Sequence, residues 1–463
     1  MINPPFNYIR STQTIPLGLL NLGTILKNHG FEIKIFDLPA ENPYGYNFLS
    51  KPPRPHKFLQ QFKKFDPDII GITSVTENYP IAMKIAQMCK KENENIKIIF
   101  GGPHVTFQAE ECLNDDSLID IIAIGETEHV IIDIIKGLAG KLELNKIDNI
   151  IFKKNGYIKK NRVSVPDLDN VPPPDFEIIK NKHYLSFAQQ IEFSRGCPYQ
   201  CAFCCLFPIS KNRVRYFPAK RVVDTLVAYQ QLFKNFSFTF ADPTFLLNPK
   251  KVRLFLDELK NRKMILNEWN FKTRIDTINR SILRELKKYN VYAIFLGIED
   301  IHNSVLQTIN KKQTFSQIKN ALKIINNLNF TSHSNFVIGL PSQTRKHMLE
   351  NISYANNVDH FVFLCLTPMP GSRIFTTPEN FGLKILSKNW SLYNFREILT
   401  DSISFPAEQQ KEMRDLAWNH MAEAYLQKES TAFFDRKEYE HLLEIGFESW
   451  YDEWKNRHLS GWN

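Results

Sequence analysis

No stretch of this sequence reaches the ~18 consecutive apolar residues that a membrane span needs, and the N-terminus has no signal-peptide pattern. A membrane partner is therefore not expected, and a cytoplasmic location is. No internal repeat and no low-complexity tract interrupts the chain. There is no arginine-rich run and no nucleic-acid reader motif. Lysines and arginines number 58 against 49 acidic residues, a net charge of +9, but the excess is scattered. It surfaces as Lys-Lys pairs at 63–64, 90–91, 153–154, 159–160 and 311–312, the pattern of a solvated surface rather than a nucleic-acid face. Cysteines number only seven, and three of them crowd together, which argues for a reducing compartment rather than a disulfide framework. No second cysteine pair accompanies that crowd: Cys89, Cys112 and Cys365 are isolated, and Cys205 merely follows Cys204. A closed four-ligand zinc site is thus not offered.

What the chain does have is length and apolar content. Its 463 residues, 43% hydrophobic, suffice for two or three domains with sizeable cores. The crowded cysteines are Cys197, Cys201 and Cys204, separated by three and then two residues. Gln190–Ser194 upstream reads as a short strand and Arg195-Gly196 as a turn, so the thiols lie on a loop leaving a strand end. Three thiolates suit a soft metal centre. An iron–sulfur cube held by three of them leaves one iron for a non-protein ligand. The bland alternative is three buried or reactive thiols with no metal.

This Cys-x3-Cys-x2-Cys run, with Phe203 before its last cysteine and Glu192-Phe193-Ser194-Arg195-Gly196 ahead of it, resembles the radical S-adenosylmethionine signature. The resemblance implies a [4Fe–4S] cluster whose open iron chelates S-adenosylmethionine, and reductive cleavage to a 5'-deoxyadenosyl radical. The rest of the chain can be read around it.

Up to about residue 145 the pattern alternates strand and helix. Phe31–Phe36, Ile69–Val75, Ile96–Gly101 and Ile119–Gly125 read as strands. Helices are expected over Leu17–His29 and near 54–64, 81–92, 106–113 and 127–137. That is a doubly wound parallel sheet, whose ligands bind at the carboxyl ends of the strands. Those ends carry Ser74-Val75, Gly101-Gly102-Pro103-His104 and Gly125-Glu126. With Pro16-Leu17-Gly18-Leu19 they resemble the Rossmann-like cobalamin-binding domain fused to many radical S-adenosylmethionine enzymes. The resemblance implies cobalamin at Ser74, Val75, Gly101, Gly102, Pro103, Gly125 and Glu126. The Asp-x-His-x-x-Gly motif is absent and His104 is not its equivalent, so no protein histidine is expected on cobalt. Only Met1 and Ile2 precede Asn3-Pro4-Pro5, so a stunted first strand or a truncated start is expected.

Residues 146–188 read as a hairpin around Asn155-Gly156 and a stiff proline-rich connector, Pro166 to Asp175. From 189 to 385, strands at Ser237–Ala241, Trp269–Thr273, Ala293–Ile298, Ser334–Ile338 and His360–Leu366 join the one before Cys197. Helices fill 219–234, 249–262, 279–289, 314–328 and 343–356. Six β/α units make a partial barrel, the radical S-adenosylmethionine fold. Carried over residue by residue, the resemblance puts Asp242 at the methionyl amine. It puts Arg274 and Glu299 near the methionyl carboxylate and ribose, and Phe203 with the Val337–Gly339 backbone against the adenine. Asn310-Lys311-Lys312 reads as structure. Residues 386–463 read as helical, over 405–427 and 436–457, with aromatics packed in a core.

The expected activity is cobalamin-dependent methylation of an unactivated carbon on a small-molecule or peptide substrate. The electron would come from a donor such as flavodoxin or ferredoxin. A radical cyclisation, ring contraction or rearrangement on the same architecture is the second reading. A non-catalytic cobalamin carrier is the third, and the intact cysteine triad argues against it.

Overall fold

The structure is a computed structural model, and it describes residues 1–5, 14–41, 55–115, 118–179, 184, 189–233, 236–427, 436–447, 449–450 and 453. It divides into two compact units. One comprises Met1–Leu185 with Asp224–Lys234, and the other Ser186–Val223 with Asn235–Arg457.

The first unit is built on a seven-stranded sheet: β1 (Ile2–Asn3), β2 (Phe36–Asp37), β3 (Ile69–Thr73), β4 (Lys97–Gly101), β5 (Ile121–Ala123), β6 (Ile150–Lys154) and β7 (Tyr157–Lys160). The order is β2-β1-β3-β4-β5-β6-β7. The first five pair in parallel, and β6 and β7 add antiparallel. The order reverses between β1 and β3, the switch point at which sheets of this kind bind ligands beyond the carboxyl ends of the strands. Ile70, Ile72, Ile98 and Phe100 sit in a core with Ile85, Ala86 and Cys89 of the helix Tyr79–Glu92.

Two expectations change here. The strand foreseen over Phe31–Phe36 contracts to Phe36–Asp37, because its partner β1 is two residues long and pairing ends with it. The hairpin foreseen as linker is the sheet's antiparallel margin instead. Its Asn155 and Gly156 both hold positive φ, 53° and 80°, as a tight two-residue hairpin turn requires.

The second unit carries β8 (Gln189–Ile191), a small ladder of β9 (Ser194–Arg195) with β10 (Arg215–Tyr216), and then β11 (Phe238–Phe240), β12 (Trp269–Thr273), β13 (Val291–Glu299), β14 (Thr331–Ile338) and β15 (His360–Cys365). Six strands form one parallel sheet in the order β15-β14-β13-β12-β11-β8, every neighbour being the next of this sheet along the chain. This is the six-unit winding the sequence implies. Helix starts are set locally: Asn248 accepts from Lys250 N and Lys251 N ahead of a helix whose first residue is Pro249.

One face of this sheet is closed. Phe238, Phe240, Trp269 and Phe271 pack with Phe193, Phe245 and Phe255, Phe240 and Phe245 stacking at 4.5 Å. Burying each such ring contributes roughly 1.5–3 kcal/mol. On the opposite face the alternate residues Thr239, Phe295, His333 and His360 stay partly accessible and Lys272 is exposed. The helix Ala407–Gln427 buries Trp418 and Tyr425, and Trp418 packs on Phe447 at 4.6 Å. Phe433, Phe434, Tyr451 and Trp454 lie outside the described residues.

Candidate active site

In the first unit three strand-end loops are tied to one another. Ser74 N donates to Gly101 O at 2.9 Å, and His104 N donates to Ser74 O at 3.3 Å. Thr106 Oγ1 donates to Gly102 O at 2.9 Å and accepts from Gly125 N at 3.1 Å. Gly102 holds φ +102°, and a Cβ there would collide with the Ser74 carbonyl oxygen. Only glycine permits that approach. Val75 N is capped by Asn78 Oδ1 at 2.9 Å. Asn149, absent from the sequence-based site, locks the third loop: its side-chain amide donates to Ile124 O, Glu126 O and Ser164 O.

Ser74, fully buried at the β1/β3 switch point, keeps an Oγ with no hydrogen-bond partner. His104 is 1% exposed and stacks on Tyr79 at 4.3 Å, and burial lowers its pKa to about 4. It is a neutral core imidazole. Small residues, close backbone and an orphaned hydroxyl across the strand ends fit a large planar cofactor held without a histidine ligand.

In the second unit Cys197, Cys201 and Cys204 leave the β9 turn. The loop is pinned from both sides: Ala202 N donates to Ile309 O, Ile374 N donates to Ala202 O, and Asn310 Nδ2 donates to Gln200 O. Among the described residues no three Cys, His, Asp or Glu side chains converge on a single-ion site. A cube with one thiolate per iron asks for no such point. Burial raises the Cys204 thiol to about 12, and burial likewise raises Cys201, against the pull of Lys311 and Arg274. These thiols are protonated without metal, so loading iron releases protons. Leu206 N donates to Cys204 Sγ at 3.5 Å, and Arg274 Nη1 donates to Cys201 Sγ at 3.7 Å. Buried soft donors beside a guanidinium fit an anionic iron–sulfur cluster.

Arg274 is the hub of this site. Its Nε and Nη2 fork onto the Asp276 carboxylate at 2.9 and 3.2 Å, its Nη2 also donates to Lys311 O, and its guanidinium lies 3.6 Å over the Tyr199 ring. Glu299 and Lys311 form a buried ion pair at 2.6 Å with side chains 10% and 7% exposed. Lys311 Nζ also stands 5.6 Å over Phe203. Glu299 sits at φ +64°, where β13 slips register against β14. A non-glycine residue there costs about 1–3 kcal/mol and persists only where its surroundings fix it. Gly297 leaves room for the pair, since a Cβ would meet Glu299 Oε1 and Lys311 Nζ.

Cys201, Phe203, Arg274 and Glu299 are thus brought together, with Lys311, read from sequence as structure, as their link. Asp242 is not among them. It is 1% exposed, accepts from Phe193 N at 3.0 Å and from Ser194 Oγ, and is pushed up to about 7 by burial. Its observed partners make it a clamp on the start of the cysteine loop. Val337 and Gly339 also stand apart. Gln343 donates to Val337 O at 2.9 Å and accepts from Gly339 N at 2.7 Å, so these two backbone groups have partners within the fold.

Comparison with known proteins accounts for both halves. Residues 10–135 match the B12 binding domain, and residues 191–355 match the Radical SAM superfamily. An uncharacterized methyltransferase of Pyrococcus horikoshii is 28% identical over 85% of this chain and 84% of its own length. An anaerobic magnesium-protoporphyrin IX monomethyl ester cyclase of Rubrivivax gelatinosus is 27% identical over 82% and 72%. Among solved structures, the cobalamin-dependent S-adenosylmethionine radical enzyme OxsB with aqua-cobalamin bound is 18% identical with a TM-score of 0.65. That match covers 88% of this chain and 56% of OxsB, so the chain spans little more than half of that relative. The radical S-adenosylmethionine methyltransferase TsrM from Kitasatospora setae, with tryptophan substrate and a SAM analog bound, is 14% identical with a TM-score of 0.70, over 98% of this chain and 97% of its own. With both matches in one chain, each on the fold and strand ends that suit it, the protein belongs to the radical S-adenosylmethionine enzymes that carry a B12-binding domain ahead of the barrel.

Proposed function

We propose that this enzyme transfers a methyl group to an unactivated carbon of a small-molecule or peptide substrate in the cytoplasm. One observation carries the reading: a single chain holds both a strand-end cradle, its His104 buried against Tyr79, and a three-cysteine loop backed by Arg274 and Lys311. When bound, the [4Fe–4S] cluster supplies the electron that cleaves S-adenosylmethionine, and cobalamin supplies a methyl carrier. The protein's work is binding, orientation and shielding. Cys197, Cys201 and Cys204 hold the cluster, and Arg274 and Lys311 offset its negative charge. Ser74, Val75, Gly101, Gly102, Pro103, Gly125 and Glu126 cradle cobalamin. Phe203, Arg274 and Glu299 border S-adenosylmethionine. Asp242 is assigned to the methionyl amine, and the Val337 and Gly339 backbone to the adenine, on the strength of the family resemblance alone. A one-electron donor of the flavodoxin or ferredoxin kind completes the reaction.

The test is anaerobic reconstitution with both cofactors, visible spectroscopy of each chromophore, and product analysis. 5'-Deoxyadenosine, S-adenosylhomocysteine and a methylated product together are expected. 5'-Deoxyadenosine with neither of the other two would refute methyl transfer. It would favour radical cyclisation or rearrangement, a reading that the likeness to the cyclase keeps open.

A further inference from the structure

We propose that the half-open face of the six-stranded sheet is a substrate wall on which Lys272 anchors an anionic group, a carboxylate or a phosphate. The proposal deepens the reading above, because it takes this unit to hold a substrate against its sheet.

Strand parity places the wall. Lys272 pairs with Phe295, Phe295 with His333, and His333 with His360, so four neighbouring strands present these side chains on one face. The three rings form a continuous row, Phe295 on His333 at 4.3 Å and His333 on His360 at 4.4 Å, closed at the sheet edge by Tyr425 at 5.7 Å from His360. The flanking positions Phe271 and Thr273 are buried on the other face, while Lys272 is accessible.

Charge singles out Lys272. Among the described residues no carboxylate pairs with it. The acids of the neighbouring strand-end loops are paired elsewhere: Asp276 with Arg274, Glu299 with Lys311 and Glu192 with Arg195. Neighbouring protein lowers the Lys272 pKa by desolvation, although the residue itself is exposed. Burial also lowers His333 to about 3, so its ring is neutral and adds no charge. Two residues back on the same face Asn270 is 7% exposed. It donates to Tyr292 Oη at 3.2 Å, but its Oδ1 has no partner, nor has Oγ1 of its cross-strand neighbour Thr239. An unpaired cation above two unmet polar atoms, beside a flat ring row, fits an anionic head, a hydrogen-bond donor near it and an uncharged body along the rings. Lys272 stands two residues before Arg274, about 7 Å along β12, so a molecule held here lies within reach of the site already described.

Competitive acylation tests this on the cofactor-loaded protein. Trace acetic anhydride labels lysines in chloride, in inorganic phosphate or in benzoate at equal ionic strength, and peptide mass spectrometry reads each site. At about ten times its dissociation constant, an anion held by Lys272 slows labelling there about tenfold and leaves exposed Lys153 and Lys384 within twofold. Slowing by benzoate alone assigns a carboxylate, by phosphate alone a phosphate ester, and by both an anion of either kind. Uniform slowing at all lysines, or none at Lys272, overturns the proposal. Asn270→Asp sets a carboxylate beside the amine and should abolish the slowing while Lys272 still labels; slowing that survives places the anion elsewhere and also overturns it. Labelling needs no cleavage of S-adenosylmethionine. Failed methyl transfer with retained protection would therefore overturn the proposed reaction and leave this anion site standing.

Discussion

Replacing Lys311 with methionine should strand a buried carboxylate and cost about 3–5 kcal/mol. The structure supplies the terms. Nζ and Glu299 Oε1 are 2.6 Å apart, with both side chains at or below 10% exposure. At an effective dielectric of about 20, charges that close attract by roughly 6 kcal/mol, which offsets several kcal/mol of desolvation per ion. Methionine keeps most of the stem near Phe203 and removes only the charge, so little of the loss comes from packing. Glu299 cannot easily swing to water, since its backbone is held at φ +64°. Urea unfolding of the cluster-free protein, followed by tryptophan fluorescence, measures the change; Trp269 lies fully buried in the same sheet. Lys311→Met with Glu299→Gln removes both charges and should regain at least ~2 kcal/mol over the single variant. A single-variant loss below ~1 kcal/mol, or strictly additive losses in the cycle, would refute the claim that the pair is a coupled buried unit.

Two further outcomes follow from the same geometry. Gly102→Ala forces a Cβ into the Ser74 carbonyl at φ +102°. Loaded protein should lose bound cobalamin by visible absorbance yet retain its iron content, and equal cobalamin in variant and parent would exclude Gly102 from the cradle. Asp242 has a folded pKa of about 7 against an ordinary 3.8, raised first by burial. Its stabilising contribution is therefore full below about pH 4 and lost as pH rises towards 7. The stability gap between the parent and Asp242→Asn should shrink by a few kcal/mol over that range, at roughly 1.4 kcal/mol for each tenfold fall in proton concentration, and a pH-independent gap would mean the carboxyl is not held neutral.

The cysteine loop was legible in sequence because a cluster with one open iron needs its thiolates within a short, fixed spacing, and that spacing survives as text. The strand ends were legible for a related reason: alternation of strand and helix fixes which loops share an edge. Lys311, Gln343 and Asn149 were not. Each acts through a side chain that crosses to another loop, Lys311 to Glu299, Gln343 to the β14 backbone and Asn149 to Ile124 and Glu126, and no local pattern records such a crossing. The short β2 was hidden likewise, since its length is set by the two residues of its partner.

Lys272 shows a subtler limit. Trp269-Asn270-Phe271-Lys272-Thr273 alternates apolar and polar plainly enough. The ordinary inference is that the polar side of such a strand looks to solvent. In this unit the helix residue Phe255 packs on Phe240 and Trp269, so the apolar side of the sheet is the side its helices cover. Strands wound singly with their helices on one face turn their other face inward, towards the concavity. The polar residues of β12 therefore belong to the interior of the barrel, where an unpaired lysine calls for a ligand, and only the register across β12, β13, β14 and β15 reveals it.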